Sequence, residues 1–248
     1  MSRIVISAAS RVGCVRSNNE DMVLAYDKYV RSEAYHTEFV TENFDRFVIA
    51  LADGMGGHNA GEVASADVLA NLHFFLNDLP KGLSVNEFTE MMMMWFSSVN
   101  KTINSKGRVD PALRDMGTTL VAVVFYNQKY YWMNCGDSRL YRLRDGKLTQ
   151  LSTDHSLNMI NGEKRHSNVI TNCIGAGCKN SYLDMYEFTD DFLTGDTYMV
   201  CSDGLNDMVP DEEIERLMLD GTSANHLCEA AIEAGGYDNV SVCVFSVM

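Results

Sequence analysis

Eleven short runs rich in β-branched, aromatic and other apolar residues set the architecture of this chain, at residues 4–9, 22–29, 47–52, 118–126, 130–135, 139–144, 147–150, 169–174, 185–188, 197–201 and 240–247. These are strand lengths rather than helix lengths. Asn127-Gln128 and Asp145-Gly146 separate consecutive runs by a tight-turn dipeptide, so neighbouring strands are expected to pair antiparallel. Helical periodicity is confined to residues 62–76 and 85–103, with two shorter stretches at 211–219 and 223–234. Ser84 and Glu87 form an S-x-x-E capping box ahead of the second stretch, and Asp211 with Glu212 and Glu213 suits the positive end of the third. Together these elements predict an α+β fold in which two antiparallel sheets pack face to face with helices outside.

The chain of 248 residues shows no internal repeat, no low-complexity linker and no long block of one charge, so residues 1–248 read as one domain. With 46% hydrophobic and 22% charged residues its composition is globular. Its 20 Lys and Arg stand against 34 Asp and Glu, a formal charge of −14. That balance argues against a phosphate-backbone binder and a polybasic membrane-surface protein, so neither nucleic acid nor membrane is expected as a partner. The first residues lack the basic region and apolar run of a secretion signal. No uncharged apolar stretch approaches a membrane span; residues 91–96, for example, run to only six. A cytoplasmic protein is the expectation. Cys14, Cys135, Cys173, Cys178, Cys201, Cys228 and Cys243 form no Cys-x-x-Cys pair and read as free thiols of a reducing compartment. The four methionines at 91–94 fit pliable core.

The informative chemistry lies in where acids fall relative to strands. The apolar run 47–52 ends abruptly in Asp53-Gly54-Met55-Gly56-Gly57-His58, and the run 197–201 is followed by Ser202-Asp203-Gly204. Asp238 stands just before the last strand, and Glu20-Asp21 just before another. Acids at strand ends can converge from distant segments onto one edge of a sandwich, where hard oxygen ligands suit Mg²⁺ or Mn²⁺. Glycine after Asp53 and Asp203 permits close backbone approach, and with it ligation by a peptide carbonyl. A single Asp-Gly is more often a turn than a ligand. Residues 54–57 lack the Gly-Lys-Ser/Thr ending of a nucleotide P-loop, and Met55 stands where an aspartyl-nucleophile phosphotransferase would carry its second Asp. It is the repetition of the arrangement in four segments that favours a metal site.

Seven motifs carry a resemblance: Arg16-Ser-Asn-Asn-Glu-Asp21, Ala52-Asp-Gly-Met-Gly-Gly-His58, Gly117-Thr-Thr119, Asn134-Cys-Gly-Asp-Ser-Arg-Leu-Tyr141, Leu151-Ser-Thr-Asp-His-Ser156, Ser202-Asp-Gly-Leu205 and Gly236-Tyr-Asp-Asn-Val240. Their order resembles that of the metal-dependent type 2C serine/threonine protein phosphatases, and the Gly-Met-Gly-Gly-His after Asp53 resembles the compact bacterial branch. The resemblance implies a four-layered αββα arrangement, a β-sandwich flanked by helix pairs, with a binuclear Mn²⁺ or Mg²⁺ centre at one end. Carried over by position, Asp53 bridges the two ions and Asp203 with Asp238 completes one of them. Glu20-Asp21 and the Gly54 carbonyl serve the other. Asp137, together with Asp203, corresponds to the site of a third, weaker ion, with Asp207 as a further contributor, and Arg16 to a fork gripping the substrate phosphate. The implied reaction is direct hydrolysis of phosphoserine or phosphothreonine in phosphorylated proteins by a metal-bridging hydroxide, carried by Arg16 and Asp53, in a monomer opposing a serine/threonine kinase.

Three departures qualify the resemblance. Met55 stands where other branches have His, which leaves His58 either a proton donor, a substrate contact or a structural residue. Only ten residues separate His155 from His166, so a shortened flap near 156–168 and a more open site are expected. Residues 30–45 read as an extended hairpin between two early strands and a candidate docking surface. Two alternatives to a protein phosphatase are a metal-dependent hydrolase of small phosphoesters and a silent regulatory module of the same fold.

Overall fold

The structure, a computed structural model, describes residues 3–56, 60–157 and 169–248. In chain order its strands are β1 (Arg3–Arg11), β2 (Met22–Ala25), β3 (Lys28–Val30), β4 (Ala34–Val40), β5 (Arg46–Ala52), β6 (Gly54–Met55), β7 (Gly117–Thr118), β8 (Leu120–Tyr126), β9 (Lys129–Cys135), β10 (Arg139–Arg144), β11 (Lys147–Gln150), β12 (Ile174–Gly175), β13 (Asp184–Glu187), β14 (Thr197–Cys201) and β15 (Val240–Val247). The α-helices among the described residues are α1 (Ala60–Asp78), α2 (Val85–Val109), α3 (Asp203–Asn206), α4 (Asp211–Leu219) and α5 (Ala224–Glu233).

Two six-stranded sheets form the centre, ordered β11-β10-β14-β15-β1-β4 and β13-β9-β8-β5-β2-β3, with every pairing antiparallel. The alternation along β5 shows how the layers stack. Phe47, Ile49 and Leu51 enter a core between the sheets with Ile6, Val200 and Phe245. Val48, Ala50 and Ala52 enter a second core with Leu69, Leu72, Phe88 and Met92 of α1 and α2. Because both faces are covered, β5 reads as a continuous apolar run rather than an alternating one. On the opposite side Met199, Cys201 and Val242 pack beneath Leu205, Ile214, Leu227 and Ala231 of α3, α4 and α5. The result is the four-layered αββα arrangement. No helix among the described residues is long and apolar enough to cross a membrane.

The turn and cap signals hold. Asn127 and Gln128 both take positive φ (48° and 63°), as do Asp145 and Gly146 (50° and 79°), so both hairpins close in the conformation that matches strand twist. Ser84 Oγ accepts from Glu87 N–H, and Glu87 Oε2 accepts from Ser84 N–H, completing the capping box. All seven cysteines are free.

Four expectations are corrected. Residues 22–29 are not one strand but the β2–β3 hairpin, turned at Tyr26 with φ 65°. The run 169–174 supplies only Ile174 to β12 and a single bridge from Ile170 to Ser156, because Asn172 is drawn instead into a polar network. Residues 30–45 are not a hairpin between neighbours: β2 pairs directly with β5, while β4 crosses to the other sheet and pairs with β1. Of the methionine run, Met92 is core, but Met94 is 68% exposed on the outer face of α2.

Candidate metal centre

Strand register brings the acids together. Met22 pairs with Ala52, so Asp21 and Asp53, each one residue beyond that pair, emerge side by side at one end of the sheet. In the other sheet Cys201 pairs with Val242, and Ser202 N–H donates to Ser241 O (3.0 Å), placing Asp203 and Asp238 at the corresponding end. Asp137 stands two residues after β9, whose Cys135 pairs with Leu120 beside the same edge.

Backbone contacts fix the segments that carry these acids. Asp53 N–H donates to Thr119 Oγ1 (3.0 Å), while its carbonyl accepts from Thr119 N–H (2.9 Å) and Thr118 Oγ1 (2.8 Å). The chain then enters β6, which pairs with β7 in a three-stranded sheet, β12-β7-β6. A Cβ at Gly54 would lie 2.2 Å from Gly61 O and 2.6 Å from Glu20 O, so glycine is required where three backbones meet. Gly204 is constrained likewise, 2.0 Å from Asn239 O. Glu20 N–H donates to Asn239 Oδ1 (2.8 Å), and Asn239 Nδ2 donates to Val12 O and Asn18 O (both 2.9 Å), tying the Glu20 loop to the one bearing Asp238. Asp21 is fully buried, and its Oδ2 accepts from Ser202 Oγ (2.8 Å), which in turn accepts from Ser241 N–H (3.0 Å).

The electrostatics are those of crowded, desolvated anions. Burial, then repulsion from Asp21, Asp203, Asp137 and Asp238, holds the Asp53 carboxyl well above the carboxylate range. Asp203 is raised in the same way by burial, Asp137, Asp207 and Asp238. Asp21 and Asp137 are each pushed up to about 6, burial being the main cause, and Glu20 is also raised by burial. Glu20 Oε1, Asp21 Oδ1 and Asp137 Oδ1 are buried without a hydrogen-bond partner. Such orphaned acceptors are costly unless a cation completes them, and an all-oxygen set suits Mg²⁺ or Mn²⁺. Among the described residues no three acids, histidines or cysteines yet converge on one point. The field is shared, but the cage is not drawn tight.

Arg16 reaches this edge from the loop after β1, its Nη2 donating to Asp238 Oδ2 at 2.5 Å. All the predicted site residues, Arg16, Glu20, Asp21, Asp53, Gly54, Asp137, Asp203 and Asp238, thus meet at one end of the sandwich, and Asp207 belongs to the same field. His58 and most of the predicted flap near 156–168 lie outside the described residues.

Sequence reasoning missed the supporting polar residues. Thr119, Ser202 and Asn239 lie within motifs quoted above but were given no role there, and Ser241 signals itself only as a polar residue near a strand end. His155 is the clearest omission, although it lies within a quoted motif: it is buried, and its Nδ1 accepts from Gly136 N–H (3.1 Å). Its Nε2 lies 3.0 Å from Asp184 Oδ2, so the two ring nitrogens together secure the turn that presents Asp137.

Residues 30–231 match the family described as protein phosphatase 2C. The serine/threonine protein phosphatase PstP of Mycobacterium tuberculosis is 35% identical over 262 aligned positions covering 100% of this chain, which spans 46% of that protein. Protein phosphatase PhpP of Streptococcus pneumoniae is 30% identical, with 98% of this chain and 97% of the relative covered. The crystal structure of the PstP catalytic domain, in complex with two manganese ions, superposes with a TM-score of 0.77 at 35% identity, covering 100% of both chains. With its fold, its clustered acids and these matches in agreement, the chain belongs to the protein phosphatase 2C family.

Proposed function

We propose that the chain is a metal-dependent phosphoprotein phosphatase that hydrolyses phosphoserine and phosphothreonine. The observation that carries this reading is the gathering of acids from five separate segments at one end of the sandwich, with buried oxygens of Glu20, Asp21 and Asp137 lacking a partner. The names of the relatives and the two manganese ions of the PstP catalytic domain support it. Glu20, Asp21, Asp53, Asp203, Asp238 and the Gly54 carbonyl are the groups that would hold two divalent ions, Mn²⁺ or Mg²⁺, with Asp137 and Asp207 beside Asp203 for a third. Bound there, the ions would neutralise charge on the phosphoryl oxygens and supply a nucleophilic water at neutral pH.

The chain's own residues do the rest. Arg16, with a side chain 54% exposed, presents a forked guanidinium that a substrate phosphate can take over from Asp238. Asp53, fixed through both its N–H and its carbonyl, keeps its carboxylate at the centre of the acid field. A thiol nucleophile is disfavoured: Cys201, two residues from Asp203, is pushed far up by burial, and Cys173 and Cys228 to about 12. Opposition to a serine/threonine kinase, a cytoplasmic location and a monomeric state complete the proposal. Phosphopeptide hydrolysis measured with Mn²⁺, with Mg²⁺ and with EDTA tests it. Turnover that needs divalent metal and is lost in Asp53→Asn is expected; metal-independent turnover, or full activity in that variant, would overturn it.

A further inference from the structure

The segment that carries the chain from β3 to β4 packs against the loop bearing Glu20 and Asp21. Arg31, with a side chain 17% exposed, stands at that junction. Its Nε donates to Asp21 O (2.8 Å), and its Nη2 donates to Glu62 O (3.0 Å) and Ser65 Oγ (2.7 Å) in the first turns of α1. Its Nη1 pairs with Glu62 Oε1 (3.1 Å). Ser65 Oγ closes the circuit by donating to Glu20 O (2.5 Å). Next in sequence, Ser32 takes a positive φ of 56°, and its Oγ accepts from Asn19 Nδ2 (3.3 Å). Asn19 Oδ1 in turn accepts from Asp21 N–H (3.1 Å).

Two features separate this arrangement from ordinary salt bridging. The guanidinium takes the main-chain carbonyl of Asp21 rather than its carboxylate, and Asp21 Oδ1 and Glu20 Oε1 keep no partner. It also links three elements distant in sequence, the loop before β2, the β3–β4 crossover and α1, through one planar fork. Lysine presents a single ammonium and cannot reproduce that span.

We infer that Arg31 is a positioning residue of the metal centre: with Ser65 it locks the main chain of Glu20 and Asp21 against α1, so that both carboxylates stand pre-aimed for a divalent cation. This rests on the phosphatase reading above, whose metal site includes Glu20 and Asp21. Removing an outer partner that orients a ligand typically weakens metal affinity 10–100-fold.

The test is Mn²⁺ binding to the full chain, followed by loss of the six-line paramagnetic signal of free Mn²⁺, alongside melting temperatures in EDTA. Arg46 serves as control. It clamps the other end of α1 through Leu76 O (2.6 Å) and Leu79 O (2.7 Å), and starts the strand that Asp53 follows, roughly 20 Å away along β5. Arg31→Gln should weaken Mn²⁺ binding by about 10–100-fold. Arg31→Lys should stay at least about fivefold weak, since charge without the fork does not restore the span. Ser65→Ala, a smaller lesion for the case in which the Arg31 variants fail to fold, should weaken binding several-fold. Arg46→Gln should lower the melting temperature with Mn²⁺ affinity unchanged. Wild-type affinity in Arg31→Gln or Ser65→Ala, or full recovery in Arg31→Lys, would overturn the positioning role. Absence of Mn²⁺ binding by the wild-type chain would instead overturn the phosphatase reading on which it rests.

Discussion

Arg16 and Asp238, 222 positions apart, meet in a 2.5 Å hydrogen bond at the edge of the acidic field. The bond to Asp238 is also the main reason the Arg16 guanidinium is held above its ordinary range. In the proposed function Arg16 grips substrate phosphate and Asp238 holds metal, so the bond would compete with both. A cation held by Asp238 would release Arg16, whose fork would then be available to a phosphate.

Arg16→Ala is therefore expected to lower kcat/KM for phosphopeptides by roughly 10²–10³, the loss typical of one transition-state donor. Inhibition by inorganic phosphate should weaken in parallel, while Mn²⁺ affinity is kept or slightly improved. Steady-state kinetics with a phosphate inhibition series checks this; unchanged phosphate inhibition would remove Arg16 from the substrate site.

The clustered acids make the metal-free protein pH-sensitive in a defined direction. The Asp21 and Asp137 carboxyls rise from 3.8 to about 6 on folding, so between these values the folded chain binds more protons than the unfolded one. Their contribution to stability is fully present below 3.8 and lost as pH rises through about 6. For Asp21 alone the loss is on the order of 2–3 kcal/mol. Denaturation in EDTA should thus show stability falling from pH 5 to pH 7.5, and Mn²⁺ should raise the melting temperature more at pH 7.5 than at pH 5. An equal gain at both values would mean that the ions do not neutralise these acids.

Asp53→Asn separates function from stability at the same place. The substitution removes a buried carboxyl whose ionised form is disfavoured by burial and by repulsion from Asp21, Asp203, Asp137 and Asp238. It should abolish metal-dependent turnover yet leave the metal-free protein at least as stable as wild type, by about 1–3 kcal/mol, because sites built for function carry strained charge. Urea denaturation in EDTA measures it, and a clear destabilisation would contradict the repulsion argument.

What the sequence disclosed and what it concealed follow a physical division. Asp53 and Asp203 were legible because an apolar strand stops at each and glycine follows, a local signature of close backbone approach that Gly54 and Gly204 bear out. Helices α1 and α2 were legible from period and cap, although α2 runs on to Val109. The β12-β7-β6 sheet was not legible, since two-residue strands carry no periodicity. Nor was the crossing of β4 to β1, because its half-exposed residues fit either sheet and only tertiary packing decides. Arg31, Ser65 and Ser202 act through main-chain carbonyls and single hydroxyls of remote segments, contacts that no spacing along the chain encodes.

His155 offers the last test, because its role is structural support at one remove from the acids. Its Nδ1 accepts from Gly136 N–H and contacts Asn172 Nδ2 (2.9 Å), and its Nε2 reaches Asp184. His155→Ala leaves the Gly136 N–H and part of Asn172 without partners in a buried setting, a loss of about 1–3 kcal/mol. The turn it releases carries Asp137, not Asp53 or Asp21. Affinity for the weakest divalent ion should therefore fall while the tighter sites persist, read as a change in the later part of a Mn²⁺ titration by calorimetry. His155→Gln, whose side-chain oxygen can still accept from Gly136 N–H, should recover part of both losses. Equal weakening at every site would instead mean that the turn supports the whole metal centre.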